Sequence, residues 1–239
     1  MSLTTSVIVL SSIKYGDSSL IVKCYTQTDG LKTYMLKGIL SSSKRKKIKP
    51  AHFQPLTQLQ IVANHNAKGN LNSIKEVQVV NNYTHIHTDV KKQTIAMFIS
   101  EVLSQILTEE KNEYLYEYLK TSFLWLDQHD KISNFHILFL LKLTKFLGFY
   151  PDSNYSNTTY FNLDEGKFSN AKPKFNYITG EQLSNFKLLL GTNFDTINDM
   201  IFNQKSRQEL LSILIQYYEL HLSGFRNPKS LQILKAVFN

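Results

Sequence analysis

The sequence predicts an α+β chain of several parts, a small five-stranded β-barrel followed by an all-helical domain that carries a small loop or hairpin insertion. Three observations lead there. The first 80 residues contain five short β-rich runs separated by turn signals. From Tyr83 onward the apolar residues recur at a helical period. The whole net charge lies in the first of these two regions.

The strands come first. Val7 to Ile13 is a β-rich run that ends in the turn tripeptide Tyr15-Gly16-Asp17, and Leu20 to Thr26 follows with Ile21, Val22 and Tyr25. Asp29-Gly30 is a hairpin signal leading into Leu31 to Leu36. Ser41 to Pro50 reads as a polar, basic loop. Leu59, Ile61 and Ala63 then alternate with Gln58 and Gln60, and Lys68-Gly69-Asn70 turns the chain into Leu71 to Val80. Five strands in about eighty residues suit a barrel of the OB type. An SH3-like barrel has the same strand count and is the rival fold.

The helices follow. Ile95, Phe98, Ile99, Val102, Leu103 and Ile106 keep the i, i+3, i+4, i+7 spacing of an amphipathic helix, and Leu115, Tyr118, Leu119 and Leu126 suggest a second. Asn134 to Leu147 is apolar nearly all round, which predicts a central buried helix ended by Gly148 and Pro151. The Asn-, Ser- and Thr-rich stretch at about 152–178 reads as the insertion. Thr179-x-x-Gln182 and Ser206-x-x-Glu209 have the capping-box form, and Asn227-Pro228 reads as an N-cap and first-turn proline. The expected domains are therefore 1–80 and 81–239.

Charge separates the two. Residues 1–80 hold 11 Lys/Arg against Asp17, Asp29 and Glu76, while residues 81–239 hold 16 of each sign, so the excess of +8 belongs to the barrel. Abundant Lys and Asn reflect a compositional bias, but a bias does not place the excess in one segment. A basic module joined to a neutral one points to polyanion binding beside another task. Lys44-Arg45-Lys46-Lys47-Ile48-Lys49 puts five cations in six loop positions. Such a run repels itself in isolation and is relieved opposite phosphates, where counterion release adds to binding. Tyr15, Tyr25 and Tyr34 stand near cations in the strands; each is either a stacking platform for bases or barrel core.

Catalytic and metal patterns are missing from the sequence. Neither GxxxxGK[ST] nor GxGxxG occurs, and Cys24, the single cysteine, reads as a buried hydrophobe. His85 and His87 have no third ligand at a metal-binding spacing, and Glu109, Glu110, Glu113 and Glu117 read as ordinary solvated charges. No cofactor or bound metal is expected. Val7 to Leu10 is too short for a signal-peptide core, and no apolar stretch spans a membrane, so the expectation is a soluble cytoplasmic protein.

The order of landmarks resembles the RecO family of bacterial DNA repair proteins over essentially the full length. The matching pieces are Gly16-Asp17-x-Ser19, Asp29-Gly30-Leu31, Lys37-Gly38, the basic loop, Phe53-Gln54-Pro55-Leu56, Glu101-Val102-Leu103, Leu147-Gly148-Phe149-Tyr150-Pro151, Ser206-Arg207-x-x-Leu210-Leu211, Tyr217-Tyr218 and Lys229-Ser230-Leu231. The resemblance implies an OB-fold followed by a helical domain. It also implies a non-enzymatic recombination mediator that binds single- and double-stranded DNA, anneals strands and works with RecR and the single-stranded DNA-binding protein to load RecA. It would then be nucleoid-associated. The matching DNA-binding stretch supplies Lys37, Lys44, Arg45, Lys46, Lys47 and Lys49. For the neutral domain the expectation is a groove between helices, rimmed by Lys142 and Lys145, for the acidic C-terminal tail of the single-stranded DNA-binding protein. One departure stands out. Many relatives carry a four-cysteine zinc module where Phe161 to Lys174 lies here, and this chain has no cysteine there. The runner-up function is a protein–protein adaptor with weak nonspecific nucleic-acid binding.

Overall fold

The computed structural model describes residues 2–41, 47–66, 71–152, 157–199 and 201–238. The chain divides into two compact units, Met1–Gln128 and His129–Asn239.

In the first unit, strands β1 (Ser2–Tyr15), β2 (Ser19–Thr26), β3 (Gly30–Leu36), β4 (Gln58–Asn64) and β5 (Ser73–Asn81) form one sheet in the order β3-β2-β1-β4-β5. β1 is long because it serves two partners. Ser2 to Ile8 pair with β4 and Val7 to Tyr15 with β2, around a bulge between Val9 and Ser11 that bends the strand. The chain returns from β3 to pair β4 with β1, a Greek-key step. The outer edges then meet at one parallel bridge, Tyr34 to Asn72. There the Met35 N–H donates to Asn72 O at 2.8 Å and the Asn72 N–H to Thr33 O at 3.1 Å. The result is the predicted fold class, with an OB-like barrel left partly open at the β3–β5 seam.

Alternation fills the interior. Val7, Val9, Val22, Cys24, Leu59, Ile61 and Ala63 point inward and are fully buried, together with Tyr34. Phe53, from a short 3-10 turn at Pro50–Phe53, joins the same core. Burial pushes the Cys24 thiol far above its usual range, in keeping with a hydrophobe's role.

The opposite face of β1 is equally dry. Ile8 and Leu10 are 0% and 2% exposed although they alternate with Val7 and Val9. Helix α1 (Val90–Ile106) packs across β1, and α2 (Glu113–Gln128) stacks Tyr116 on Tyr25 with ring centroids 6.3 Å apart. The change of period after residue 80 thus marks a change of element, while the compact unit runs on to Gln128. The α1–α2 connection closes on the β2–β3 turn. Gly30, at φ +62°, lies so close that a Cβ would stand 2.5 Å from Glu110 O. Leu31 N–H donates to Thr108 O at 2.8 Å beside it.

The second unit holds α3 (Phe135–Leu147), the three-stranded sheet β7-β6-β8 built from β6 (Tyr160–Asn162), β7 (Lys167–Ser169) and β8 (Tyr177–Thr179), then α4 (Gly180–Leu190), α5 (Gln204–His221) and α6 (Leu231–Val237). α3 is the buried helix expected, ending at Gly148 in the left-handed conformation. Three caps differ from the sequence reading. Asn203 caps α5, accepting from Ser206 N–H at 2.8 Å, and Ser206 is buried one turn in. Thr179 is the N-cap of α4, but its hydroxyl donates to Thr159 O instead of capping. Pro228 sits in a turn ahead of α6, whose N-cap is Ser230. Candidate cap residues stand close together in each case, and tertiary contacts choose among them.

Asp127 ties the strand-to-helix connection to the end of α2. Its carboxylate accepts from the N–H groups of Thr84, His85 and Ile86 at 2.8–3.0 Å and from the Thr84 hydroxyl at 3.1 Å. Burial pushes its pKa up, but the backbone donors outweigh burial and hold the carboxyl below its usual range. A depressed folded-state pKa adds stability that is complete above the unfolded value, near 4, and fades as pH falls through the folded one. Asp127→Ala should therefore cost about 2–4 kcal/mol at pH 7 by stranding buried donors. The deficit against the parent chain should shrink below about pH 4. Urea denaturation at pH 7 and pH 3 measures both.

Candidate nucleic-acid interface

The barrel's cations divide by what they touch. Lys23 Nζ donates to Ser104 O at 3.4 Å and Lys32 pairs with Glu109 at 2.8 Å, so both bind the barrel to its helices. Lys37, Lys47 and Lys49 are exposed, and none of them joins an ion pair among the described residues. Lys44, Arg45 and Lys46 lie outside the described residues.

The root of the basic loop is well defined. Lys37 follows β3 directly. Beyond it the Gly38 N–H donates to Ser19 Oγ at 3.3 Å and the Leu40 N–H to Ser18 O at 2.8 Å, pinning the loop to the β1–β2 turn. Ile39 drops into the core cluster, and Ile48 packs on it from the loop's far side. Lys49 leads into the 3-10 turn at Pro50–Phe53. Where β3 and β5 part beyond the Tyr34–Asn72 bridge, a cleft of about 850 Å³ opens, with Lys37 and Lys47 both lining it. Its walls include Ile39, Ile48, Leu71 and Ile74. A second hollow, of about 1210 Å³, sets Lys32 and Lys75 beside Asp29 and Glu109, so its charge is mixed.

The three tyrosines resolve differently. Tyr34 is core, its hydroxyl 3.0 Å from His65 Nε2, and Tyr25 is buried under α2. Neither can stack a base. Tyr15 is 54% exposed at the β1–β2 turn. His85 and His87 serve structure: His85 Nδ1 lies 3.2 Å from Asp127 O, and His87 Nε2 lies 3.0 Å from Pro55 O. Glu109, Glu113 and Glu117 form ordinary ion pairs with Lys32, Lys111 and Lys120 at 2.8–3.0 Å. Among the described residues no group of three or more His, Cys, Asp or Glu is placed to hold a metal ion.

In the second unit Lys142 and Lys145 flank one ring, with Nζ 6.0 and 4.5 Å from the centroid of Tyr150. Lys142 also donates to Leu190 O at 3.3 Å; burial first, then Lys145, lowers its pKa. A hollow of about 610 Å³ lies elsewhere in this unit, between β8 and α5, and is lined by Asn176, Gln182, Gln208 and Gln216.

The insertion is organised by rings. Phe161, fully buried on β6, has Phe168 at 4.6 Å, Phe186 at 4.9 Å and Tyr217 at 5.9 Å between centroids. Tyr217 in turn meets His221 at 4.3 Å and donates to Phe149 O at 2.8 Å. Gly166 turns the β6–β7 hairpin at φ +66°, and a Cβ there would meet the Tyr217 hydroxyl at 2.5 Å.

Comparison with known proteins now decides the family. The pattern described as "Recombination protein O N terminal" matches residues 1–83, and "Recombination protein O C terminal" matches residues 87–232. The chain belongs to the RecO family. It is 47% identical over 239 residues to the "DNA repair protein RecO" of Christiangramia forsetii and 47% identical over 240 residues to that of Flavobacterium psychrophilum, with 100% of each chain covered. The protein of the same name from Bacteroides fragilis is 35% identical over 238 residues, covering 97% of both chains. This is a RecO-family DNA repair protein, and no helix among its described residues is long and apolar enough to cross a membrane. The 83/87 division between the two RecO patterns follows the change of period, whereas the compact unit ends at Gln128.

The ring cluster centres on the cysteine-free stretch from Phe161 to Lys174. Phe161→Ala should open a cavity at its centre and destabilise the second unit by about 3–5 kcal/mol. A chelator such as EDTA should leave the melting temperature of the parent chain unchanged, because among the described residues no group of three or more His, Cys, Asp or Glu is placed to hold a metal ion. Differential scanning calorimetry of both proteins, with and without chelator, reads the two effects together.

Proposed function

We propose that this protein is a DNA-binding recombination mediator. It binds single- and double-stranded DNA at the basic margin of its barrel and anneals complementary strands. With RecR it helps load the RecA recombinase onto DNA covered by the single-stranded DNA-binding protein, in the cytoplasm at the nucleoid. It works by binding rather than by bond-breaking chemistry.

The observation that carries this reading is the company kept by the exposed cations. Lys37, Lys47 and Lys49 gather at one loop of an OB-like barrel with no carboxylate partner among the described residues, while Lys23 and Lys32 are consumed by structure. The loop's sequence adds Lys44, Arg45 and Lys46. Unpaired, hydrated ammonium groups at this density gain little from the fold and much from a phosphate backbone. Residues 81–239 are neutral by sequence, so their share is the protein partners. Lys142 and Lys145, held beside Tyr150, are candidates to meet the carboxylates of the single-stranded DNA-binding protein's C-terminal tail.

The test is the salt dependence of DNA binding. Replacing Lys37, Lys44, Arg45, Lys46, Lys47 and Lys49 with Ala should reduce the slope of log K against log[salt] by about 3 to 5 units, since each single-strand phosphate contact contributes about 0.7. The loss should be alike for all sequences. An unchanged slope would make the loop a bystander. No DNA binding by the parent chain even at low salt would leave the adaptor role instead.

A further inference from the structure

We propose that the cleft over the open β3–β5 seam seats one unstacked base of single-stranded DNA, while Lys37 and Lys47 hold the phosphates beside it. This rests on the reading of the barrel as a DNA-binding module and adds what that reading leaves open, a preference for single strands.

The seam makes the cleft. Among the described residues the ladder contact between β3 and the start of β5 is the Tyr34–Asn72 bridge. Beyond it, Leu36 and Lys37 on one side and Ser73 and Ile74 on the other stand apart along the cleft of about 850 Å³. That volume lies within the roughly 300–1,000 Å³ of sites that take small organic groups. The walls are mostly aliphatic. Ile39 is buried, Ile48 and Ile74 are half-buried, and Leu71 is 42% exposed at the mouth.

An aliphatic cleft rimmed by two ammonium groups is selective about its occupant. A phosphate gains nothing from Ile48 or Leu71, because it would lose hydration without a replacement donor. A duplex turns its phosphates outward and keeps the faces of its bases stacked. Only an unstacked nucleotide offers both an apolar π-face for the cleft and an anion for the rim, and bases do lodge between apolar side chains once they leave the stack. The polar group nearest the bridge is already committed. Asn72 Nδ2 donates to Thr33 O at 3.1 Å, and its Oδ1 accepts from Asn66 N–H at 2.9 Å. With that amide engaged, the site reads the presence of a base and not its identity, as sequence-tolerant single-strand binders do.

The experiment uses the full-length chain at fixed salt and fluorescence anisotropy with three probes of equal length: a thymidine homopolymer, an oligomer of abasic tetrahydrofuran units, and a duplex. The two single strands carry the same phosphate charge, so a purely electrostatic site binds them equally. The cleft predicts at least about fivefold tighter binding of the thymidine probe than of the abasic one. Leu71→Ala, at an exposed position, should keep the parent's melting temperature and weaken thymidine binding roughly threefold while leaving abasic binding unchanged. Equal affinities for the two strands would overturn the cleft as a base site and leave the DNA-binding reading standing. A base preference that Leu71→Ala does not touch would place the bases elsewhere and overturn it too. Binding of none of the three probes would instead remove the reading beneath it.

Discussion

Strand β1 must bury both of its faces, and most of the first unit follows from that. Val7 and Val9 close the barrel interior, while Ile8 and Leu10 on the reverse are equally dry. Each such side chain contributes about 1.5–3 kcal/mol when buried, so neither face can be left to water. One face is served by folding the sheet on itself around β1, which pairs with β2 and β4 at once. The other needs a lid, and α1 supplies it. β1 is the middle strand of the five, so the edges left to meet are β3 and β5, and among the described residues they meet at the Tyr34–Asn72 bridge.

This arrangement explains what the sequence displayed and what it hid. Val7-Ile8-Val9-Leu10 is an uninterrupted apolar run, the mark of a strand buried on both sides, and it was legible as a strand. Ser2 to Ser6 carry no such signal; they are extended because β4 lies beside them. The helical period of α1 was equally plain, but a period names the face that will be buried without naming what buries it. The change at Tyr83 was therefore visible as a change of element, and the attachment of α1 and α2 to the barrel was not. The cations behaved likewise. Composition located the excess in the first 80 residues, yet only packing distinguishes Lys23 and Lys32, tied to α1 and its following turn, from Lys37, Lys47 and Lys49. The cleft was illegible in principle. Its walls come from three stretches, near 35–39, 47–48 and 71–74, that no local pattern relates.

The insertion shows the same limit from another side. The sequence showed a loop or hairpin insertion at about 152–178, and the structure adds β8 and the partners on α4 and α5. A strand trio of three residues each is too small to stand alone. Here the support is a chain of ring contacts from Phe168 through Phe161 and Tyr217 to Phe149 and His221, anchored by hydrogen bonds from Tyr217 to Phe149 O and between His221 Nε2 and Leu163 O. Edge and tilted ring contacts add to area burial and fix orientation, as ligand geometry would around a metal. The Tyr217 hydroxyl also explains the turn residue. Only a glycine at 166 leaves it room, so the aromatic core and the β-turn are parts of one solution.

Charge and seam also constrain each other. A barrel that closed fully between β3 and β5 would satisfy every strand edge but would leave no recess near the basic loop, only a cationic surface. Such a surface holds any polyanion with little regard to its form. Opening the seam costs a few ladder hydrogen bonds, each worth about 1 kcal/mol net where water can replace the partner. In exchange, aliphatic side chains are brought beside Lys37 and Lys47, in a place where ionic attraction alone would not put them. The two features act on different parts of a nucleotide, its charge and its ring. A strand whose bases are paired and stacked can satisfy only the first. On the proposed reading, a site with two such unequal demands favours unpaired DNA without reading its sequence.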